Sequence, residues 1–222
     1  MSSEKKVLYG KYYVCDSQEQ EESAALSFGW RPGQPEFSLT IDSCTIDGGG
    51  ATEGLKLSFC RNVIVQNSQI FGGSEDCVDI VRGENITFDN CTFFANPDTK
   101  QHITCKGGAK NITFKNCKCV GSFKCWWNGA CIDLGNWTDY DDVDRPMVRN
   151  VHIINCDMLD VACRILYRRL YSEMPVVKNA RGFRFNVPRL FVKLFWWLQR
   201  KGAIGPRRRF PESWLTIYGF EL

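Results

Sequence analysis

Apolar and polar residues alternate in short runs along the middle of the chain, and the runs return at a nearly constant interval. Asn62-Val63-Ile64-Val65-Gln66-Asn67-Ser68 is followed by Asn85-Ile86-Thr87-Phe88-Asp89-Asn90-Cys91, then by Asn111-Ile112-Thr113-Phe114-Lys115-Asn116-Cys117 and Asn150-Val151-His152-Ile153-Ile154-Asn155-Cys156. A worn earlier copy is Leu39-Thr40-Ile41-Asp42-Ser43-Cys44. Val63/Val65, Ile86/Phe88, Ile112/Phe114 and Val151/Ile153 keep the spacing of a strand with one buried face. A second alternating segment recurs as Leu55/Leu57, Val78/Ile80, Ile103/Cys105 and Ile132/Leu134. The last residues of the copies, Cys44, Ser68, Cys91, Cys117 and Cys156, are 24, 23, 26 and 39 residues apart. A period in the low twenties with strand alternation predicts a solenoid of stacked coils.

Asn67, Asn90, Asn116 and Asn155 stand where each first segment ends. Asparagine tolerates tight-turn dihedrals, and its amide can bond the coils above and below. The expectation is an asparagine column at one corner of a parallel β-helix. The pattern starts near residue 37. Residues 1–36 are polar and mixed, with an acidic run at Glu19–Glu22 and a turn signal at Trp30-Arg31-Pro32-Gly33, and read as an N-terminal cap. The long interval before Cys156 holds two Gly-, Asp- and Trp-rich excursions, 121–127 and 135–146. Long loops leaving a rigid scaffold are places where function concentrates.

After 187 the pattern changes. The run from Pro188 to Lys201 predicts a helix with proline near its start, followed by a tail. It reads as a cap over the solenoid's open end, a contact for a protein partner or a second copy through 190–198, or a membrane-surface helix. It is far short of the ~20 apolar residues that span a bilayer, so membrane insertion is not expected. The domain reading is therefore a cap at 1–36, a β-helix at 37–186, and a helix and tail at 187–222.

Composition changes this picture little. The 222 residues carry a formal net charge of +3, too small to imply nucleic acid as a partner. No secretory signal is visible in the first twenty residues, so the expected location is cytoplasmic or virion-associated. The 12 cysteines bear more weight. Cys44, Cys91, Cys117 and Cys156 share one slot, and residues stacked in adjacent coils lie about 4.8 Å apart. Reduced thiols packed as small apolar groups suit that slot, with disulfides as the alternative. No cysteine pair has zinc-finger spacing, so metal binding by cysteine is not expected. Sequons fall at Asn85, Asn90, Asn111 and Asn136, three of them in the repeat, where turn chemistry accounts for them.

The stretch Gly73-Ser74-Glu75-Asp76-Cys77-Val78-Asp79-Ile80-Val81-Arg82-Gly83, with Asn85-Ile86-Thr87-Phe88 after it, resembles the pectate lyase superfamily, and the Asp76-Cys77 segment is similar to that of polygalacturonases. The resemblance covers roughly residues 37–170 and implies a right-handed parallel β-helix of about five or six coils. It implies calcium on Glu75 and Asp79, with Asp76 beside them, and a base or acid-group anchor from Lys100, Arg149 or Arg145. The chain departs from the lyase pattern twice. Gln66 stands where a further carboxylate ligand belongs, and the strand Cys131-Ile132-Asp133-Leu134 has no arginine. The polygalacturonase likeness offers Glu53, Glu75 and Asp76 as paired carboxylates and places His102 one position from that family's histidine.

Lys56, Asp79, Thr104, Asp133 and Arg164 form one outward row, one residue per coil. It reads as a solvated face or as a row that binds sugar or calcium, with Trp126, Trp127 and Trp137 available to stack on pyranose rings. The functional expectation is a non-catalytic or degenerate lyase-like β-helix, structural or carbohydrate-contacting, such as a virion or tail component. The alternatives are a calcium-dependent lyase on acidic polysaccharide and a glycoside hydrolase. No cofactor is certain; calcium is the candidate.

Overall fold

The alternating runs become short parallel strands wound into a solenoid in the computed structural model of this chain. The structure describes residues 4–15, 24–29, 37–121, 131–136, 147–158, 164–168, 172–180 and 183–187. All lie in the compact unit Met1–Val187. The first coil comprises β1 (Glu4–Tyr9), β2 (Tyr12–Val14) and β3 (Ala24–Gly29), and the second β4 (Phe37–Asp42), β5 (Thr45–Asp47) and β6 (Glu53–Ser58). The third has β7 (Arg61–Gln66), β8 (Gln69–Phe71) and β9 (Asp76–Val81), and the fourth β10 (Glu84–Asp89), β11 (Thr92–Ala95) and β12 (Gln101–Lys106). The fifth has β13 (Lys110–Lys115), β14 (Lys118–Gly121) and β15 (Ile132–Asn136). Beyond it run β16 (Arg149–Ile154), β17 (Arg164–Arg168), β18 (Val176–Lys178) and β19 (Phe183–Val187).

These strands form three parallel sheets. The first is ordered β1-β4-β7-β10-β13-β16-β18, the second β14-β11-β8-β5-β2 and the third β19-β17-β15-β12-β9-β6-β3. Five coils thus contribute a strand to each sheet, and the later ones continue the first and third, which fits the expected solenoid. Residues 4–29 lie within the stretch read as a cap, yet they carry β1–β3, which pair in register with β4, β5 and β6. Their copy of the pattern is too degraded to recognise by eye, but the backbone ladder needs no particular side chain. The helix expected from Pro188 lies outside the described residues.

Like residues stack on like. Val63, Ile86, Ile112 and Val151 are mutual register partners, as are Val65, Phe88, Phe114 and Ile153. All are buried, as are Leu55, Leu57, Val78, Ile80, Ile103, Ile132 and Leu134 of the third sheet. The Phe88 ring stacks on Phe114 with centroids 5.3 Å apart and meets Phe93 edge-on at 5.7 Å. Such pairs add about 0.5–1.5 kcal/mol beyond the area they bury.

The corners are set by left-handed residues. Asn67, Asn90, Asn116 and Asn155 have φ of 51°, 52°, 54° and 52° and close the turn from first sheet to second. Asn90 Nδ2 donates to Asn67 Oδ1 at 2.9 Å, and Asn155 Nδ2 to Asn116 Oδ1 at 3.4 Å. Between them Asn116 donates instead to Asp89 Oδ1 at 3.0 Å. The expected column exists, with that one crossed step. A second column, not anticipated from the pattern, opens the first sheet: Asn62, Asn85, Asn111 and Asn150, with φ of 55°, 55°, 57° and 50°. Each later amide donates to the one before it, at 3.1, 2.9 and 2.9 Å. Asparagine enters this backbone region more readily than other side chains, and the ladder makes use of the amide that the turn selects.

None of the ten described cysteines is in a disulfide, and all but Cys15 are buried. Cys91, Cys117 and Cys156 stack as expected. The Cys117 thiol lies between the other two, and hydrogen bonding to Cys156 and Cys91 pushes it strongly toward the protonated form.

Candidate functional site

Register brings charged residues of the third sheet together on one face. Glu53, Asp76 and Gln101 are aligned across β6, β9 and β12; so are Lys56, Asp79 and Thr104, with Asp133 of β15 next; Val81 and Lys106 follow. Lys56 Nζ lies 3.2 Å from Glu53 Oε1 and 3.7 Å from Asp79 Oδ2, and Lys106 Nζ lies 3.0 Å from that same Asp79 oxygen. Thr52 Oγ1 donates to Glu53 Oε2 at 2.6 Å.

Three residues of the row are buried, contrary to the expectation of a solvated face. Asp79, Thr104 and Asp133 are 0% exposed and Asp76 is 2%. Strand alternation tells which residues point away from the solenoid core, but not whether something else covers that outer face. Burial carries an electrostatic penalty that the network meets in part. Burial, then the Asp79 charge, pushes the Asp76 carboxyl well above the usual carboxylate range. Burial likewise raises Glu53, against the opposing pull of Thr52 and Lys56. Burial disfavours the Lys56 and Lys106 ammoniums, yet the nearby carboxylates outweigh it and both pKa values rise. Among the described residues, Asp76 Oδ1, Asp79 Oδ1 and Gln101 Oε1 have no hydrogen-bond partner.

The residues named from sequence divide among separate places. Glu75 precedes β9 and forms an exposed ion pair with Lys100, which precedes β12. Asp79, placed beside Glu75 by the family pattern, is paired with Lys56 and Lys106. Asp76 shares the Asp79 environment. Arg149 begins β16 of the first sheet, 61% exposed, with Glu173 Oε1 at 3.9 Å. Gln66, aligned with the missing ligand, donates to Asp42 Oδ2 at 2.8 Å in the first sheet. Asp133 pairs in register with Leu166, so Arg164, at the start of β17, does not continue the row. Arg145, Trp126, Trp127 and Trp137 lie outside the described residues.

Among the described residues, the side chains whose metal-ligating atoms gather within 4.8 Å of one another are His102, Cys119 and Cys131, all buried. Neither Glu75, Asp76 nor Asp79 belongs to that group. His102 Nε2 lies 2.8 Å from the Val120 carbonyl oxygen. Sequence reasoning missed this cluster because it looks for ligands at fixed short spacings. The usable signal was the coil period, which sets Cys131 opposite His102.

Comparison with known proteins bears on fold. Residues 34–158 match the family described as the right handed beta helix region. No curated protein matches the chain. Similar solved structures include a pectin methylesterase from Aspergillus niger, 13% identical with a TM-score of 0.38, covering 84% of this chain and 78% of that one. Another is pectate lyase Bsp165PelA from Bacillus sp. N165 in complex with trigalacturonate, 15% identical with a TM-score of 0.31, covering 80% and 82%. A third is QnrB1, a plasmid-mediated fluoroquinolone resistance protein, 11% identical with a TM-score of 0.25, covering 91% and 98%. Likeness at this level carries nothing about activity. The family match spans more than half of the 222 residues and agrees with three parallel sheets and their asparagine columns: the chain belongs to the right-handed β-helix family.

Proposed function

We propose that this chain is a non-catalytic β-helix, a structural scaffold that contacts carbohydrate along its outer rows. The carrying observation is the dispersal of the acid, base and cation-binding groups. A lyase needs a cation on the uronate carboxylate and a base within reach of the neighbouring proton. Here Lys100 is held by Glu75, Arg149 lies on a different sheet, and Asp79 is engaged by Lys56 and Lys106. A hydrolase needs two carboxyl groups flanking a bond it can touch. Of the carboxylates offered for that role, Glu53 and Asp76 are buried and Glu75 is held by Lys100. What faces outward is regular instead. Thr87, Thr113 and His152 stand in register on the first sheet, beside exposed asparagine columns. Evenly repeated polar groups suit a polymer of repeated hydroxyls.

Affinity electrophoresis through a panel of neutral and acidic polysaccharides, run with assays for unsaturated products and new reducing ends, tests this reading. The expected result is retarded migration on at least one polymer and no product with or without calcium. Product formation abolished by Lys100→Ala would overturn it. A second reading, a calcium-dependent lyase acting on acidic polysaccharide, is favoured by one observation: Glu75 and Lys100 meet at the exposed start of β9 and β12. Calcium-dependent turnover lost in both Glu75→Ala and Lys100→Ala would support it.

A further inference from the structure

We propose that His102, Cys119 and Cys131 bind a zinc-class metal ion at the corner between the second and third sheets. The site assembles from three segments. His102 belongs to β12, Cys119 to β14, and Cys131 immediately precedes β15. Ile103 pairs with Ile132, and Ile103 N donates to Cys131 O at 2.9 Å, so Cys131 stands opposite His102 one coil on. Cys119 arrives from the preceding sheet of the same coil as β15.

The donor atoms lie within 4.8 Å of one another. A tetrahedral zinc ion with S and N ligands at about 2.3 and 2.0 Å sets its donors roughly 3.5–3.8 Å apart. Closing on the ion thus requires donor separations to shrink by at most about 1.3 Å, within side-chain adjustment. The tautomer favours it as well. A carbonyl only accepts, so the contact with Val120 O places the imidazole hydrogen on Nε2. The lone pair is then on Nδ1. An imidazole anchored through its other nitrogen to a backbone carbonyl is the usual support for a metal-binding histidine. Two thiolates and an imidazole select zinc-like ions over calcium or magnesium, and binding releases the two thiol protons.

The plain alternative is that these cysteines merely fill core space, as the Cys91–Cys117–Cys156 column does. Position argues against it. The register partners of the Cys119 slot are Phe93, Ile70, Ile46 and Tyr13 in successive coils, so the slot is otherwise filled by larger side chains. The thiol appears there in the coil that also supplies Cys131, beside the one that supplies His102. The three donors fill three of the four tetrahedral positions and leave the fourth to water, and the ion ties β12, β14 and β15 across the corner.

The test uses the full chain. The protein is stripped with a chelator under reducing conditions and titrated with Co²⁺, then with Zn²⁺, while absorbance and melting temperature are followed. The expected result is one Co²⁺ per chain, with thiolate-to-cobalt and tetrahedral ligand-field bands that Zn²⁺ abolishes, and a melting temperature that rises with zinc. Cys119→Ser and Cys131→Ser each weaken binding by about a hundredfold or more, whereas Cys77→Ser and Cys91→Ser leave it unchanged. Because a ligand variant can fail to fold, the unmodified chain's spectrum also decides. Absence of the bands in folded, reduced protein, or bands that persist in a folded Cys119→Ser/Cys131→Ser variant, overturns the proposal. So does a Cys119–Cys131 disulfide in protein purified without reductant that, once reduced, takes up no metal.

Discussion

Asn85 is the sharpest place to test why asparagine recurs at the corners. It lies inside the second column with φ at 55°, donates to Asn62 Oδ1 at 3.1 Å and accepts from Asn111 Nδ2 at 2.9 Å. Replacement by alanine removes both bonds and leaves a β-carbon in the left-handed region. The backbone term is about 1–2 kcal/mol. The amides are exposed, so the two bonds together are worth about 1 kcal/mol, the low end for such bonds. Asn85→Ala should then lose about 2–3 kcal/mol. Asn85→Gly loses the same bonds but none of the strain, with an entropy penalty of about 0.5–1 kcal/mol. The glycine variant should therefore be the more stable of the two by roughly 1 kcal/mol, and Asn85→Asp, which keeps the acceptor and tolerates the dihedral, should lie above both. Urea unfolding at fixed pH, with the slope checked for constancy, reads these differences. An alanine variant as stable as glycine, or within a few tenths of the parent, would refute the claim that backbone conformation selects asparagine here.

Other positions give clear expectations. Phe88→Ala removes a ring packed on Phe114 and Phe93 and should lower stability by about 3–5 kcal/mol in the same assay. Gly54→Ala places a β-carbon against the Phe71 carbonyl oxygen and 2.8 Å from that of Cys77, both backbone, and should lose about 1–3 kcal/mol by thermal or urea unfolding. Asp76 is raised from 3.8 in the fold, so its favourable contribution is complete below that pH and is lost as pH rises through the folded value. Asp76→Asn mimics the protonated form; its stability should fall less than the parent's between mildly acid and neutral pH, measured by urea unfolding across that range. A parallel pH dependence in the two proteins would contradict this.

The repeat was legible because parallel stacking forces equivalent positions to meet the same neighbours. The pairs Val63/Val65 and Ile86/Phe88, and the Asn67 column, therefore showed in the sequence. The Asn62–Asn85–Asn111–Asn150 column was equally periodic, yet those residues read as strand starts, because a left-handed φ cannot be told from a strand entry by residue type alone. The first coil was hidden because strand ladders join backbone groups, and Tyr12, Tyr13 and Val14 pair as well as a better-patterned copy. The burial of Asp79 and Asp133 was hidden because alternation fixes the direction of a side chain and not what covers it. Arg164 falls outside its row because β15 pairs with β17 in a register that sets Leu166 beside Asp133. His102, Cys119 and Cys131 converge only once the corner geometry is known.

The account depends most on coil-over-coil register, and backbone NMR of isotopically labelled protein measures it directly. Predicted are interstrand nuclear Overhauser contacts of the parallel type that join Ile86 to Val63 on one side and to Ile112 on the other, with equivalent contacts joining Val151 to Ile112. Antiparallel contacts between these strands, or pairing of Ile86 with residues one position away from Val63 and Ile112, would contradict it.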